Sequence, residues 1–289
     1  LVDAEEQADR LPTLQHTLRR LWEQADGGRL READYETIGG IDGSIDLKAE
    51  AIFAELVAAH DGDAGTVERV MKALTDLDDR DRATRRPQKK SALLALLGEG
   101  DDPAFVAGSL DRVLAAFSVE SASFLRIGDA ADPAVDIGHE ALIRGWRRLA
   151  GVRRDFKSGW PSEERADGDG WRFYVGRAAA KQTLSFAGQL QVRRWIAKRR
   201  LGPVWSQRYG DAWDEVDKLL RRSLRASAIR SAAAALVVLL LGIVGWHLWS
   251  DNQRARAEAL RATRLGSLSI AELARQISAR GDARAGALL

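Results

Sequence analysis

An uninterrupted apolar run near the end of the chain constrains the fold more than any other feature. Residues 232–249 contain no Asp, Glu, Lys or Arg, and the centre of this 18-residue run, Leu236–Leu241, consists of large aliphatic residues. As an α-helix the run would be about 27 Å long, close to the hydrocarbon thickness of a thin bilayer. Trp246 and Trp249 stand where interfacial aromatic residues are expected. We therefore predict one transmembrane helix over residues 231–250.

A buried hydrophobic helix is the alternative interpretation of this run. Four consecutive alanines add little hydrophobicity and His247 is polar, but charged segments on both sides give a core helix little to pack against. The twenty residues before Ser231 contain five Lys or Arg residues, and the twenty after Ser250 contain four. By the positive-inside rule, this difference favours a single-pass protein whose N-terminal side is cytoplasmic.

The small total charge hides two blocks of opposite sign. The 289 residues carry a net charge of +2 and no cysteine, which excludes a disulfide scaffold, a cysteine-ligated metal site and a thiol nucleophile. Residues 1–140 carry 16 basic and 29 acidic residues, a net charge of −13, whereas residues 141–230 carry 21 and 9, a net charge of +12. The acidic block argues against a nucleic-acid partner, and the basic block suits anionic lipid headgroups.

Before the apolar run, hydrophobic periodicity predicts a mainly helical fold. A first helix is expected over residues 11–24, opened by Pro12, with one inward apolar face: Leu11, Leu14, Leu18, Leu21 and Trp22. Further helices are expected over 67–77, 91–97 and 103–117, strands over 118–127 and 134–137, and helical structure over 139–230, interrupted at the acidic, glycine-containing residues 161–170. This order of elements is that of a winged helix: helix, short extended segment, helix, helix and hairpin.

These patterns divide the chain into five segments. We expect a helical subdomain over 1–62, a winged-helix subdomain over 63–150, a basic tryptophan-rich helical extension over 151–230, the transmembrane helix over 231–250 and a helical linker over 251–289. The tryptophans of the extension could stack on nucleic-acid bases, but packing between helices is favoured because no nucleic-acid-binding motif accompanies them. Acidic pairs such as Glu163–Glu164 are expected on solvated faces.

The sequence contains no catalytic motif of its own. It lacks the patterns G-x-x-x-x-G-K-[ST] and G-x-S-x-G, and no G-x-G-x-x-G follows a predicted strand. Its four histidines are too scattered for an H-E-x-x-H metal site. We therefore expect neither an independent catalytic centre nor a metal site in this chain.

Four short stretches carry a family resemblance instead: residues 10–23, 35–40, 84–86 and 135–149. In their order and spacing over residues 1–230, the chain resembles the bacterial novel-STAND-type signal-transduction P-loop NTPases, a WD-repeat-associated group in which many members carry a transmembrane helix. In that family a P-loop NTPase core precedes a helical subdomain and a winged helix. The resemblance implies that this chain is the C-terminal regulatory part, without the core, and that it lies at the cell inner membrane.

The resemblance also implies nucleotide contacts. Leu11 and Pro12 correspond to the segment whose proline packs against the adenine ring, and His139 corresponds to the histidine that touches the β-phosphate of ADP. ADP would hold a closed state and ATP would open it, with Mg²⁺ in the missing core. Glu140 stands where animal and plant relatives have aspartate. From the residues alone, His139 is interpreted as a helix-capping histidine.

The implied partners are the missing N-terminal NTPase core, the membrane, C-terminal WD repeats and other proteins. The alternative is a membrane-anchored winged-helix DNA-binding regulator, and a third possibility is a purely structural membrane anchor. The candidate recognition segment of such a regulator, Ser91–Leu97, is nearly all apolar, with only Lys89 and Lys90 beside it. Because phosphate contacts require a basic face, nucleic acid is not the expected partner.

Overall fold

A computed structural model describes residues 2–25, 28–60, 62–78, 80, 82–99, 101–154 and 156–286, with side chains between 11 and 273 and at 275 and 276. This part of the chain is mainly helical, as predicted. Its helices are α1 (Val2–Gln24), α2 (Glu32–Thr37), α3 (Gly40–Ala59), α4 (Asp63–Leu74), α5 (Lys90–Leu97), α6 (Pro103–Ser118), α7 (Glu140–Gly145), α8 (Arg147–Ala150), α9 (Trp160–Ala179), α10 (Phe186–Arg199), α11 (Pro203–Gln207) and α12 (Trp213–Gly286). Its strands are β1 (Thr75–Leu77), β2 (Ala83–Arg85), β3 (Gln88–Lys89), β4 (Leu125–Ile127) and β5 (Ala134–Ile137).

The chain forms two compact units, Leu1–Arg221 and Arg222–Leu289. The first contains the sheets and the hydrophobic core. The main core gathers apolar side chains from α3 through α9, and among its fully buried members are Met71, Leu110 and Trp146. Two smaller clusters lie within the predicted extension, around Trp171 and around Leu219.

The first helix differs from its prediction in two ways. α1 begins at Val2, so Pro12 lies inside the helix rather than in its first turn. Leu21 is buried, but the other residues of the predicted inward face are 39–68% exposed: Leu11, Leu14, Leu18 and Trp22. A polar face meets α3 instead, because the Thr17 and Ser44 hydroxyls lie 2.9 Å apart and Arg20 donates to the Ser44 carbonyl at 3.0 Å.

The segment between α4 and β5 follows the predicted order of elements. β1 pairs antiparallel with β2, and a second antiparallel sheet has the strand order β3–β5–β4. α5, α6 and β5 lie where the sequence predicts them, whereas α4 ends at Leu74 and residues 75–77 form β1. The predicted strand over 118–127 is reduced to β4, because a turn occupies the preceding residues and the Phe124 amide donates to the Phe117 carbonyl at 3.0 Å.

The acidic stretch 161–170 does not interrupt the helical structure, so that prediction is wrong. Pro161 lies in the first turn of α9, where a missing N–H is tolerated. Gly168 packs against the Tyr209 ring, and a Cβ there would come within 2.3 Å of that ring. Glu164 is buried and accepts hydrogen bonds from Trp205 Nε1 at 2.8 Å and from the Tyr209 hydroxyl at 2.9 Å. The expectation of a solvated position is therefore wrong for Glu164.

The tryptophans of the extension pack between helices, which confirms that interpretation. Trp171 is fully buried, stacks on Trp213 with ring centroids 5.3 Å apart, and meets Trp205 edge-on at 5.9 Å. Trp195 Nε1 donates to Asp167 at 2.8 Å. Large apolar rings with a buried acceptor for the N–H make dense contacts between short helices.

The described part of the second unit is helical and belongs to α12. An 18-residue window within Trp213–Leu273 has a mean hydropathy of 2.2, and none of it is buried. This helix is long and apolar enough to cross a membrane, as the sequence predicts. Trp246 and Trp249 lie on it with ring centroids 5.4 Å apart.

The close approach of Gly168 to Tyr209 gives a stability prediction. Gly168→Ala should lower the free energy of unfolding by about 1–3 kcal/mol, because the new methyl group overlaps the buried ring. Gly176→Ala is the matched control in the same helix, since no atom lies within 4 Å of its added Cβ. It should be neutral or stabilise by up to about 1 kcal/mol. Urea unfolding of the chain in uncharged detergent, followed by tryptophan fluorescence, measures both; equal effects would contradict the packing described.

Candidate functional site

The position of His139 is fixed by the glycine before it. The Gly138 amide donates to the Phe124 carbonyl at 2.8 Å, and a Cβ at Gly138 would lie 2.4 Å from the Ser123 carbonyl oxygen. That gap is too small for a carbon atom, so only glycine fits. The close approach holds the end of β5 against the turn that precedes β4, and His139 follows directly.

His139 occupies the N-cap of α7 without capping it through its side chain. Its backbone is extended (φ −142°, ψ 137°), and its carbonyl accepts from the Leu142 amide at 3.0 Å. The side chain is exposed and makes no capping hydrogen bond. His139 therefore stands at the N-cap, where the capping interpretation places it, but it caps through its backbone alone, and the imidazole is accessible to a ligand.

Arg85 joins two of the family-like stretches, a link that the sequence does not reveal. Its guanidinium donates to Asp136 Oδ2 at 3.2 Å and to the Ile137 carbonyl at 3.3 Å, and it lies 3.8 Å from Glu140. Arg144 approaches the same Glu140 carboxylate at 3.5 Å. Two cations thus offset the negative charge that Glu140 places beside His139.

Buried polar contacts fasten α3 to the helices that follow His139. Asp46 accepts from the Arg147 amide at 2.9 Å and from its guanidinium at 2.6 Å. Glu50 accepts from Trp146 Nε1 and from Arg148 Nε, both at 2.7 Å. Because these bonds satisfy both carboxylates, α7 and α8 keep a fixed position on α3.

The structure places the other predicted nucleotide contacts on α1. Leu11 is 63% exposed and Pro12 is half-buried. α1 packs against both α3 and α7, so the elements that carry Leu11, Pro12 and His139 adjoin. Among the described residues, no hydrogen bond or ring contact joins either α1 residue to His139, and no group of three or more His, Asp or Glu side chains could hold a metal ion.

His16 is a titratable group of the same stretch that sequence reasoning did not single out. Its ring lies 5.3 Å from the Phe124 ring, and its buried Nε2 has no hydrogen-bond partner in the described chain. Burial, aided by the positive charge of Arg20, lowers the pKa of His16 from 6.5 to about 4. The imidazole is therefore neutral at physiological pH and packs as an aromatic ring near Phe124.

The four stretches are those by which the sequence resembles the STAND-class NTPases. The profile of the family Novel STAND NTPase 1 matches residues 1–167. The chain therefore belongs to the Novel STAND NTPase 1 family, which confirms the resemblance seen in the sequence. Comparison with curated proteins and with solved structures finds no match.

The lowered pKa of His16 predicts a pH-dependent stability. Between pH 6.5 and about 4 the unfolded chain binds a proton that the folded chain does not, so stability falls as the pH falls through this window. After allowance for partial exposure, we expect a loss of about 1–2 kcal/mol between roughly pH 7 and pH 5. His16→Phe should remove this part of the loss.

The control for this experiment is His139→Gln, which removes an exposed histidine and should keep the pH dependence of the original chain. Urea unfolding at several pH values measures the difference. The assignment fails if His16→Phe leaves the slope of stability against pH unchanged.

Proposed function

We propose that this chain is the regulatory part of a membrane-anchored STAND NTPase, acting as a nucleotide-gated signalling switch that ADP closes and ATP opens. Membership of the Novel STAND NTPase 1 family supports this class of activity. The observation that carries the proposal is an exposed imidazole at His139, which makes no capping hydrogen bond and directly precedes α7, a helix that packs against α1.

The exposed face of α1 is the proposed docking surface for the upstream NTPase core. Its members lie at helical spacing and are 39–68% exposed: Leu11, Leu14, Leu18 and Trp22. A continuous apolar stripe on a helix is typical of an interface. The family order places the NTPase core before α1 in the chain, and the two residues that resemble the adenine contact, Leu11 and Pro12, begin this stripe.

The residues around His139 fit a phosphate group. Its imidazole can donate a hydrogen bond outward, and the Arg85 and Arg144 guanidiniums compensate the nearby Glu140 carboxylate. A bound diphosphate supplies negative charge at this position. Because a ligand shifts an equilibrium only through its different affinities for two states, a contact made by His139 only in the closed state would favour closure.

We interpret α4, β3, α5, α6, β4 and β5 as the winged helix of this switch, because the strand order β3–β5–β4 joins its hairpin to the strand before α5.

In a helix-turn-helix pair the second helix reads DNA. In this chain the second helix is α6, not the segment 91–97. Its only charged residues are Asp111 and Arg112. Each is paired, Asp111 with Lys90 at 2.7 Å and Arg112 with Asp63 at 2.8 Å. No described observation favours the DNA-binding alternative.

Membrane anchoring is proposed for the apolar segment of α12. Its residues 232–249 are all exposed in the described chain, so the alternative of a helix buried in a protein core has no support there. Insertion into a bilayer would remove these side chains from water. By the charge difference across the segment, the N-terminal side is proposed to be cytoplasmic.

The proposal predicts a longer protein with an NTPase core encoded upstream of Leu1, and the His139 contact is tested in that protein. The proposal requires a P-loop lysine in that upstream sequence and is wrong without one. His139→Ala should weaken ADP binding about tenfold or more, since hydrogen bonds to charged groups contribute about 1.5–3 kcal/mol, and should speed exchange for ATP. His60→Ala, at the exposed C-cap of α3, is the control. Titration with fluorescent ADP measures both; unchanged affinity and exchange would remove His139 from the switch.

The membrane segment is tested by charges placed within it. Replacing Leu239 and Leu240 with Asp should release the chain from membranes, because each charge at the centre of a span costs about 2.5–3.5 kcal/mol. Leu265→Asp with Leu268→Asp is the matched control on exposed positions of the same helix beyond the apolar run. Membrane flotation and alkaline extraction measure the outcome. Retention of the Leu239/Leu240 variant in the membrane fraction would count against a spanning role.

A further inference from the structure

A cavity of about 540 Å³ lies between the α4–α5 segment and the extension helices, within the first unit. Its wall contains seven basic and three acidic residues. One part of the wall is apolar, formed by Leu93, Leu96, Leu201 and Val204. The cavity is distinct from the His139 junction, and eight of its twenty wall residues lie beyond the family match at 1–167.

The three carboxylates of the wall already have cationic partners. Glu68 pairs with Lys72 at 2.6 Å and Asp167 with Arg199 at 3.3 Å. The third carboxylate, that of Glu164, lies 3.6 Å from Arg208 and also accepts bonds from two aromatic side chains. Of the remaining cations, Arg200 pairs with Asp101 outside the wall at 2.9 Å, whereas Arg69, Arg86 and Lys198 make no salt bridge in the described part of the chain.

Two of the remaining cations are half-buried arginines. Arg69 donates to the carbonyls of Leu96 and Leu97, and Arg86 donates to the Ala73 carbonyl at 3.3 Å. Neither guanidinium makes a salt bridge with a carboxylate in the described part of the chain. Partial burial of a guanidinium whose hydrogen bonds go to neutral carbonyls is costly, and an anion would offset part of that cost.

Like charges also crowd around these two arginines. Burial and the neighbouring charge of Arg200 lower the pKa of Arg69, and burial and Arg208 lower the pKa of Arg86. Nearby carboxylates, Glu164 among them, act in the opposite direction and raise the pKa of both arginines, but burial and the like charges outweigh them. Arginine forks match the geometry of phosphate oxygens, and Lys198 adds an exposed cation to the same wall.

We propose that this cavity binds a small soluble organic phosphate, with Arg69, Arg86 and Lys198 around the phosphate groups and the apolar wall against the organic part. The elements that meet in the cavity are α4 and α5 on one side and α10 and α11 on the other. A ligand held by both sides would stabilise their association, as any ligand that binds only the assembled form does. This site is independent of the nucleotide contact proposed at His139.

Inorganic pyrophosphate is the probe, titrated calorimetrically into the chain held in uncharged detergent. We expect saturable binding of one pyrophosphate per chain, weakened tenfold or more by Arg86→Gln and at least threefold by Lys198→Gln. Arg193→Gln is the matched control, because Arg193 is exposed on α10 and lies outside the cavity wall. It should bind as the original chain does. Circular dichroism verifies folding, and Lys198→Gln keeps the test valid if Arg86→Gln disturbs the fold.

Three results would overturn the proposal. The first is the absence of saturable binding, and the second is unchanged affinity in both cavity variants. The third is binding that His139→Ala abolishes and Arg86→Gln preserves, which would place the probe at the His139 junction. Nanodiscs with and without phosphatidic acid test whether a lipid is the source of the phosphate. If amide exchange over residues 86–97 slows only with that lipid, and pyrophosphate does not bind, the proposal of a soluble ligand is wrong.

Discussion

Two carboxylates one turn apart on α3 hold the regulatory module together. Asp46 is almost fully buried, and burying a carboxylate is unfavourable unless hydrogen bonds and a cation replace its water. Arg147 supplies both, through its amide and its guanidinium, while Glu50 receives Trp146 and Arg148. These bonds fix the short helices α7 and α8, and therefore the strand–helix junction that presents His139.

A second carboxylate network organises the extension by a different principle. In α9, Glu164 and Asp167 accept from aromatic N–H and O–H groups: Trp205, Tyr209 and Trp195. Aromatic rings bring large apolar area to short helices, and the carboxylates satisfy the polar atoms of those rings. The net positive charge of residues 141–230 is thus partly structural, because several arginines serve these acids and nearby backbone carbonyls, as Arg208 does for Lys72 and Thr75.

Local signals made part of this fold predictable. The helix predicted over 103–117 is α6, the strand predicted over 134–137 is β5, and the long apolar run identifies the potential membrane helix. The errors arise where contacts with residues far away in the sequence determine the local structure. Glycines and acids within 161–170 suggest a loop, yet α9 forms there because Tyr209 and Trp205 complete it from more than 30 positions away along the chain.

The candidate sites show the same difference between features that local sequence signals reveal and features that depend on long-range contacts. Family motifs identified His139 and the Leu11–Pro12 pair, but the accessibility of the imidazole depends on a turn around Ser123 that no local pattern reveals. Arg85 and Arg86 lie in the family-like stretch 84–86, but their contacts were not predicted, and Arg69 was missed because it is an ordinary surface-type residue in the sequence. Their significance comes from neighbours contributed by other elements.

The partners of Glu164 and Asp167 have one more consequence. The family match ends at residue 167, yet both carboxylates receive their hydrogen bonds from residues 195–209. A fragment that stopped at the family boundary would lose every one of these donors and would end inside α9. The segment that the family model matches is therefore shorter than the segment needed for folding. A fragment expressed for study should extend beyond the family boundary to include the helices that supply these donors.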